Sequence, residues 1–223
     1  MERRYTRDFY ADRHRRTAYS ARTILSLVLD VLPPLRSAID IGCGVGTWLS
    51  VLKEKGVSEI CGLDGPWVDQ DLLEIPRADF RTTDFDEAIV ADKRYDLAIC
   101  LEVAEHLPER SASKFVGSLV SASDRVLFSA AIPCQGGVGH VNEQWPEYWG
   151  RMFAARGYVA LDFLRRKIWN DENIPFWYRQ NVLMFVRREC LSAIIADGAT
   201  ASDDGLPIAL VHPELYLAKF GRA

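Results

Sequence analysis

Apolar residues along this chain alternate between a helical period and short continuous runs. Residues 17–32 carry Ile24, Leu25, Leu27, Val28 and Val31 at helical spacing, and Pro33-Pro34 ends the stripe. An apolar run over 37–42 follows. A helical pattern then extends to about Lys55, with Trp48, Leu49, Val51 and Leu52 on its apolar face and Gly56 as its stop. Further strands are expected at Glu59–Leu63, around Asp79–Thr83, and at Tyr95–Leu101, Arg125–Ala130, Tyr158–Phe163 and Val182–Arg187. Helices are expected at about Pro108–Ser121 and Pro146–Ala155. Tyr95–Leu101 is almost continuously apolar, as a parallel strand covered on both faces is. Between the last two strands the pattern predicts an aromatic loop with no clear helix, and after Cys190 it predicts no regular element. Strands alternating with helices imply an α/β fold with a doubly wound, mostly parallel sheet.

The densest signal lies at the first strand-to-helix junction. Gly42, Gly44 and Gly46 stand at alternate positions just after Asp40. A glycine turn there lets backbone N–H groups approach a ligand with no side chains between them. The spacing is G-x-G-x-G; a dinucleotide fingerprint would need its third glycine at Thr47. Acidic residues then end the neighbouring strands in order: Asp64, followed by Gly65 and Trp67; Asp84, followed by Phe85; and Glu102, preceded by Leu101. In an open α/β sheet a ligand binds outside these carboxyl ends. A lone Asp after a strand is often only a turn or cap residue, so it is the ordered set that carries weight.

That set resembles the motifs of class I S-adenosylmethionine-dependent methyltransferases, and the resemblance covers about residues 20–188. Leu101-Glu-Val-Ala-Glu-His-Leu-Pro108 is similar to the motif after strand four in bacterial small-molecule methyltransferases. Phe128–Trp149 and Trp177-Tyr-Arg-Gln-Asn181 resemble a narrower subgroup. The resemblance implies a Rossmann-like seven-stranded sheet, order 3-2-1-4-5-7-6, with the last strand antiparallel. It implies one domain over 1–190 with an N-terminal helical lid at about 1–34, and a C-terminal tail at 191–223. It also implies S-adenosylmethionine as cofactor and S-adenosylhomocysteine as product. The expected cofactor residues are Asp40, Gly42, Cys43, Gly44, Gly46, Asp64, Gly65, Trp67, Asp84, Phe85, Leu101 and Glu102. Asp64 would accept from the ribose hydroxyls, Asp84 and the Phe85 amide would meet the adenine edge, Trp67 would stack on the purine, and Leu101-Glu102 would lie under the methionine part. Cys134 departs from the subgroup, standing where a glycine or another small residue is expected. A nicotinamide dehydrogenase is the rival reading of the glycine turn, since Asp64 would also suit its ribose.

A chain of 223 residues with net charge −4 fits one decorated domain and shows no bulk attraction to nucleic acid or anionic membrane. The Arg-rich N-terminus lacks the apolar core of a signal peptide, and Ile24–Leu32 is too short to span a bilayer. Five widely spaced cysteines without a C-x-x-C pair suggest reduced thiols, no zinc site and a cytoplasmic protein. A homodimer is compatible with the chain.

Methyl transfer from a sulfonium needs alignment, exclusion of water and, for a hydroxyl acceptor, removal of a proton. A neutral imidazole suits that last task. His140 ends the glycine-rich loop Gln135-Gly-Gly-Val-Gly-His140 and is the first candidate base; His106, beside Glu105, is the second. Asn142 or Glu143 would orient the imidazole or bind the acceptor. Tyr10, Trp169, Trp177 and Tyr178 are the further acceptor-site candidates, while Arg179 and Asn181 read as pins at strand ends. No metal is expected, because no partner acids for the loop after strand five are legible. The combined expectation is O-methylation of a sugar or natural-product acceptor. The alternatives are N-methylation of a small-molecule amine, or a non-catalytic subunit that only holds the cofactor.

Overall fold

The computed structural model describes residues 7–85, 87, 89–194 and 205–221, with side chains from residue 16 onward. Seven strands form one sheet: β1 (Ser37–Ile41), β2 (Glu59–Asp64), β3 (Phe80–Thr82), β4 (Leu97–Leu101), β5 (Arg125–Ser129), β6 (Tyr158–Leu161) and β7 (Leu183–Arg187). Their order is β3-β2-β1-β4-β5-β7-β6. The first five pair in parallel, and β7 runs antiparallel to both β5 and β6. This is the expected Rossmann-like sheet with one reversed strand. Strand order turns back between β1 and β4, so the cleft of an open α/β sheet falls at their carboxyl ends.

Helices cover both faces, among them α1 (Arg7–Leu29) and α2 (Thr47–Glu54) on one and α3 (Ala112–Ala122) and α4 (Pro146–Ala154) on the other. Ala38, Leu97, Ile99 and Leu127 pack with Ile24, Leu25 and Val28 of α1 and Leu49 of α2. The alternate positions Ile39, Ile41, Ala98, Cys100, Val126 and Phe128 pack with Phe115 and Leu119 of α3 and Trp149 and Phe153 of α4. Burial on both faces is why these strands read as continuous apolar runs.

Three expectations are corrected. The helix expected over 17–32 begins ten residues earlier, at Arg7; its first turns are polar and show no apolar stripe. The connection from β6 to β7 is not an irregular loop but holds α5 (Leu164–Ile168) and α6 (Phe176–Asn181). The pattern of α5 is hidden because a buried position is taken by Arg165, paired with Asp162. After Cys190 the chain forms α7 (Pro213–Phe220), whose one buried residue, Leu215, is too little to register as a period.

Residues 205–221 dock on the domain. Ala160 N–H donates to Gly205 O at 3.1 Å, Arg165 Nη2 to Ile208 O at 2.9 Å, and His212 N–H to Gln180 Oε1 at 2.8 Å. Arg179 pairs with Glu214. No helix among the described residues is long and apolar enough to cross a membrane.

Candidate functional site

The glycine turn follows β1 directly. Gly42 and Cys43 donate their amides to Leu63 O at 2.8 and 3.1 Å, which ties the turn to β2. Gly42 has φ +89°, and a Cβ there would fall 2.2 Å from Val103 Cγ2. Gly44 has φ +54°, yet a Cβ there would meet nothing within 4 Å. The turn is therefore crowded behind Gly42 and open in front of Gly44. Helix α2 starts just beyond, with Gly46 as N-cap and no side-chain cap, so no capping side chain takes up its first amides. Cys43 turns the other way: its thiol packs beside Gly62 in the core, leaving only its backbone toward the turn.

Asp64, at the end of β2, accepts from Gly44 N–H through one oxygen and from Gly65 N–H through the other, both at 2.6 Å. Burial raises its pKa, and these bonds with the Trp67 side chain offset part of the rise. Asp40 lies deeper. Its Oδ2 is buried without a hydrogen-bond partner. Burial, and then the nearby Asp64 charge, hold its carboxyl well above the usual range. The Trp67 indole folds over Gly65, where a Cβ would sit 2.2 Å from the ring, and stacks on Phe85 with centroids 6.2 Å apart. Asp84 immediately precedes Phe85, beyond a backbone bond from Thr83 N–H to Asp64 O at 2.8 Å. Leu101 is buried in the α1/α2-side core.

Glu102 is held in the left-handed region, at φ +55°. Its amide donates to Ser129 O and Oγ at 3.0 and 3.1 Å. Its carboxylate accepts from Gln135 Nε2 at 2.9 Å and from Asn181 Nδ2 at 3.0 Å. Burial raises its pKa, and the bonds from Asn181, Ser129 and Gln135 oppose the rise. Asn181 therefore does more than pin a strand end: it crosses from α6 to the end of β4. Gln180 extends the network, donating to Gln135 Oε1 at 3.2 Å and accepting from His212 N–H.

The two candidate histidines meet. Their rings stand edge to face with centroids 4.8 Å apart. His140 Nδ1 lies 2.8 Å from Glu143 Oε1, which also accepts from Gly136 N–H at 2.6 Å. His106 Nδ1 lies 3.3 Å from Gly139 O. The His140 loop is clamped to the end of β4 by Val141 and Asn142 N–H, which donate to Glu105 O at 2.9 and 3.0 Å. Asn142 is buried and accepts from Gln144 Nε2 at 3.0 Å through Oδ1. The residue that sequence reasoning missed is Glu105. Its carboxyl is fully buried beside the histidines; burial, and then the Glu102 charge, push its pKa up to about 9. Its only signal in the sequence is adjacency to His106.

The aromatic candidates sit further round. Tyr178 packs edge-on against Trp48 at 5.5 Å, Trp177 against Phe176 and Tyr178, and Trp169 against His212 at 4.6 Å. His212 is buried, with Nε2 3.0 Å from Trp169 O, although it lies near the chain end. The Tyr10 side chain lies outside the described residues.

Sheet order, glycine turn and strand-end acids together define a class I S-adenosylmethionine-dependent methyltransferase. Residues 11–161 match the family model described as a methyltransferase domain, and the chain belongs to that family. Among solved structures it is similar to a SAM-dependent methyltransferase from Archaeoglobus fulgidus, at 18% identity and TM-score 0.57 over 82% of this chain and 100% of that one. It is also similar to magnesium protoporphyrin IX methyltransferase from Synechocystis PCC 6803 with bound SAM, at 23% identity and TM-score 0.54 over 78% and 79%. DesVI of Streptomyces venezuelae gives TM-score 0.59 at 15% identity over 80% and 94%. Likenesses at this identity concern the fold. No curated protein matches the chain.

Proposed function

We propose that this methyltransferase acts on an oxygen of a small molecule, a sugar or a natural product, with His140 as general base. The observation that carries the reading is the His140–Glu143 contact of 2.8 Å in the glycine-rich loop after β5, clamped to the end of β4. Glu143 fixes the proton on Nδ1 and leaves Nε2 to accept one, as a base-orienting carboxylate does. His106 stands beside it and would help bind the acceptor.

S-adenosylmethionine supplies a methyl group already activated on a sulfonium. The protein groups fit such a cofactor: the opening in front of Gly44 accommodates a ligand that the crowded back of the turn would not. In this reading Asp64 receives the ribose hydroxyls on the lone pairs its amide bonds leave, with Asp40 behind it. The Gly42–Gly46 backbone lies against the methionine part, above Leu101 and Glu102. Trp67, Phe85 and Asp84 border the adenine. Asn142, Trp169, Trp177 and Tyr178 complete the acceptor side, while α1 packs on the sheet through Ile24, Leu25 and Val28 as a core layer and not as a lid.

The test is His140→Ala with an acceptor found by screening with labelled cofactor. Cofactor binding should be retained and turnover should fall by about 10²–10⁴-fold, the usual worth of a positioned base. Near-normal turnover overturns the role of His140. A pH profile that follows an acceptor amine instead identifies N-methylation.

A further inference from the structure

Glu105, His106 and His140 each offer one donor atom, and these three atoms lie within 4.8 Å of one another. We propose that they bind a divalent first-row transition-metal ion through two imidazole nitrogens and one carboxylate. Three atoms no farther apart than that share a point at most about 2.8 Å from each, within about 0.8 Å of ordinary metal–ligand lengths. Small side-chain rotations close such a gap.

Glu105 is the observation that asks for a ligand. Its side chain is fully buried, and neither carboxylate oxygen makes a hydrogen bond of normal length and angle, although the Ala131 amide and the Glu102 carboxyl lie close to it. Buried polar atoms are nearly always satisfied in folded proteins, and an exception needs a reason. Here the unsatisfied oxygens lie beside two imidazoles.

The histidines carry the outer half of a metal site. His140 Nδ1 faces Glu143 Oε1 at 2.8 Å, and His106 Nδ1 faces Gly139 O at 3.3 Å. An oxygen acceptor at Nδ1 holds the proton there and puts the lone pair on Nε2, as outer-shell partners of metal-ligating histidines do. The ligand set is also braced without any ion, because the loop bearing His140 is bonded through two amides to the Glu105 carbonyl.

Two imidazoles and a carboxylate suit Mn²⁺, Fe²⁺, Co²⁺ or Zn²⁺ better than Mg²⁺ or Ca²⁺, which prefer all-oxygen sets. Three protein donors leave coordination positions open. An acceptor hydroxyl would take one of them and become more acidic. That use rests on the oxygen-methylation reading, whereas ion binding does not. With an ion bound, Nε2 of His140 is a ligand and the acidified acceptor hydroxyl would lose its proton to solvent; the base role proposed above is that of the ion-free protein.

The test takes the full chain, stripped by chelator, and titrates it near neutral pH. Mn²⁺ is followed by the resonance signal of the free ion, and Zn²⁺ by calorimetry. One ion of either kind per chain is expected. Glu105→Gln, His106→Ala and His140→Ala should each weaken uptake at least about tenfold, and Glu143→Gln should weaken it less. If no uptake of either ion occurs below about 1 mM, the site is rejected; uptake unchanged in the three ligand variants rejects it equally. Should Glu105→Gln fail to fold, His140→Ala on the partly exposed loop decides alone. Neither readout involves methyl transfer. A chain that binds the ion but methylates no oxygen keeps the site and rejects only the acceptor reading.

Discussion

Gly137→Ala tests the His140 loop without touching the histidine. A Cβ at Gly137 would fall 2.2 Å from His140 Nε2, 2.4 Å from Cε1 and 2.7 Å from Cδ2. Ordinary contact begins near 3.4 Å, so the ring must retreat by about 1.2 Å. Glu143 is held independently by Gly136 N–H. A retreat of that size takes Nδ1 from 2.8 Å toward the limit of a hydrogen bond. Gly137 is exposed and not among the glycines at positive φ, so alanine adds no backbone strain. Stability should change by no more than about 0.5 kcal/mol. A displacement of about 1 Å in a reacting group is worth up to about 10²-fold in rate. Turnover should therefore fall by about 30- to 100-fold. Calorimetric affinity for S-adenosylmethionine and the melting temperature should stay where they are. Turnover within about threefold of the parent, with cofactor binding intact, would show that the rate does not depend on where the imidazole stands. Loss of cofactor binding in parallel would refute the separation of the two halves of the site.

Asp64→Asn weakens two charge-assisted bonds to the Gly44 and Gly65 amides, contacts worth about 1.5–3 kcal/mol each. Affinity for S-adenosylmethionine should drop at least about tenfold by calorimetry, and an unchanged affinity removes Asp64 from the cofactor site. Asp40 titrates above its unfolded value, so the native state binds the proton more tightly than the unfolded chain does. Its contribution to stability is greatest below about pH 4 and is lost as pH rises through the folded pKa. Asp40→Asn stays neutral, so its melting temperature should exceed the parent's increasingly as pH rises from 4 to 8 and match it in acid; the opposite trend refutes the assignment. Arg165→Met strands Asp162 and the Gln180 and Ile208 carbonyls, and should cost about 3 kcal/mol in urea unfolding. A loss under about 1 kcal/mol would mean that this buried guanidinium does not hold the C-terminal segment.

The sheet was legible because its strands are buried on both faces. Leu97–Leu101 can be nothing but apolar when Leu97 and Ile99 pack under α1 and α2 while Ala98 and Cys100 pack under α3. The glycine turn was legible for a related reason, since Gly42 has no room for a Cβ against Val103. What stayed hidden rests on buried polar groups. Arg165 and Arg179 occupy interior positions that a hydrophobic pattern marks as solvent-facing. They conceal α5 and α6 and give no hint that residues 205–221 dock. Glu105 was passed over for the same reason: periodicity assigns an acid to the surface, and only the fold shows one fully buried beside two histidines.

The reversed β7 ties these hidden polar groups to the cleft. Leu183 pairs with Phe128, so the N-terminal end of β7 lies at the carboxyl end of β5. Asn181, two residues before Leu183, is thereby delivered to the same edge as Glu102 and Gln135, and it bonds to both. A parallel seventh strand would begin at the opposite edge of the sheet and could not make these bonds. Glu102 needs them, because a non-glycine residue at φ +55° persists only where its surroundings over-determine it. Ser129 fixes its amide; Gln135 and Asn181 fix its carboxylate. Gln180 bonds to Gln135 and Asn181 and accepts the His212 amide, so the docked C-terminal segment joins the same network. The geometry at the end of β4 is thus set by three segments far apart in sequence, and the strand that runs against the others brings two of them there.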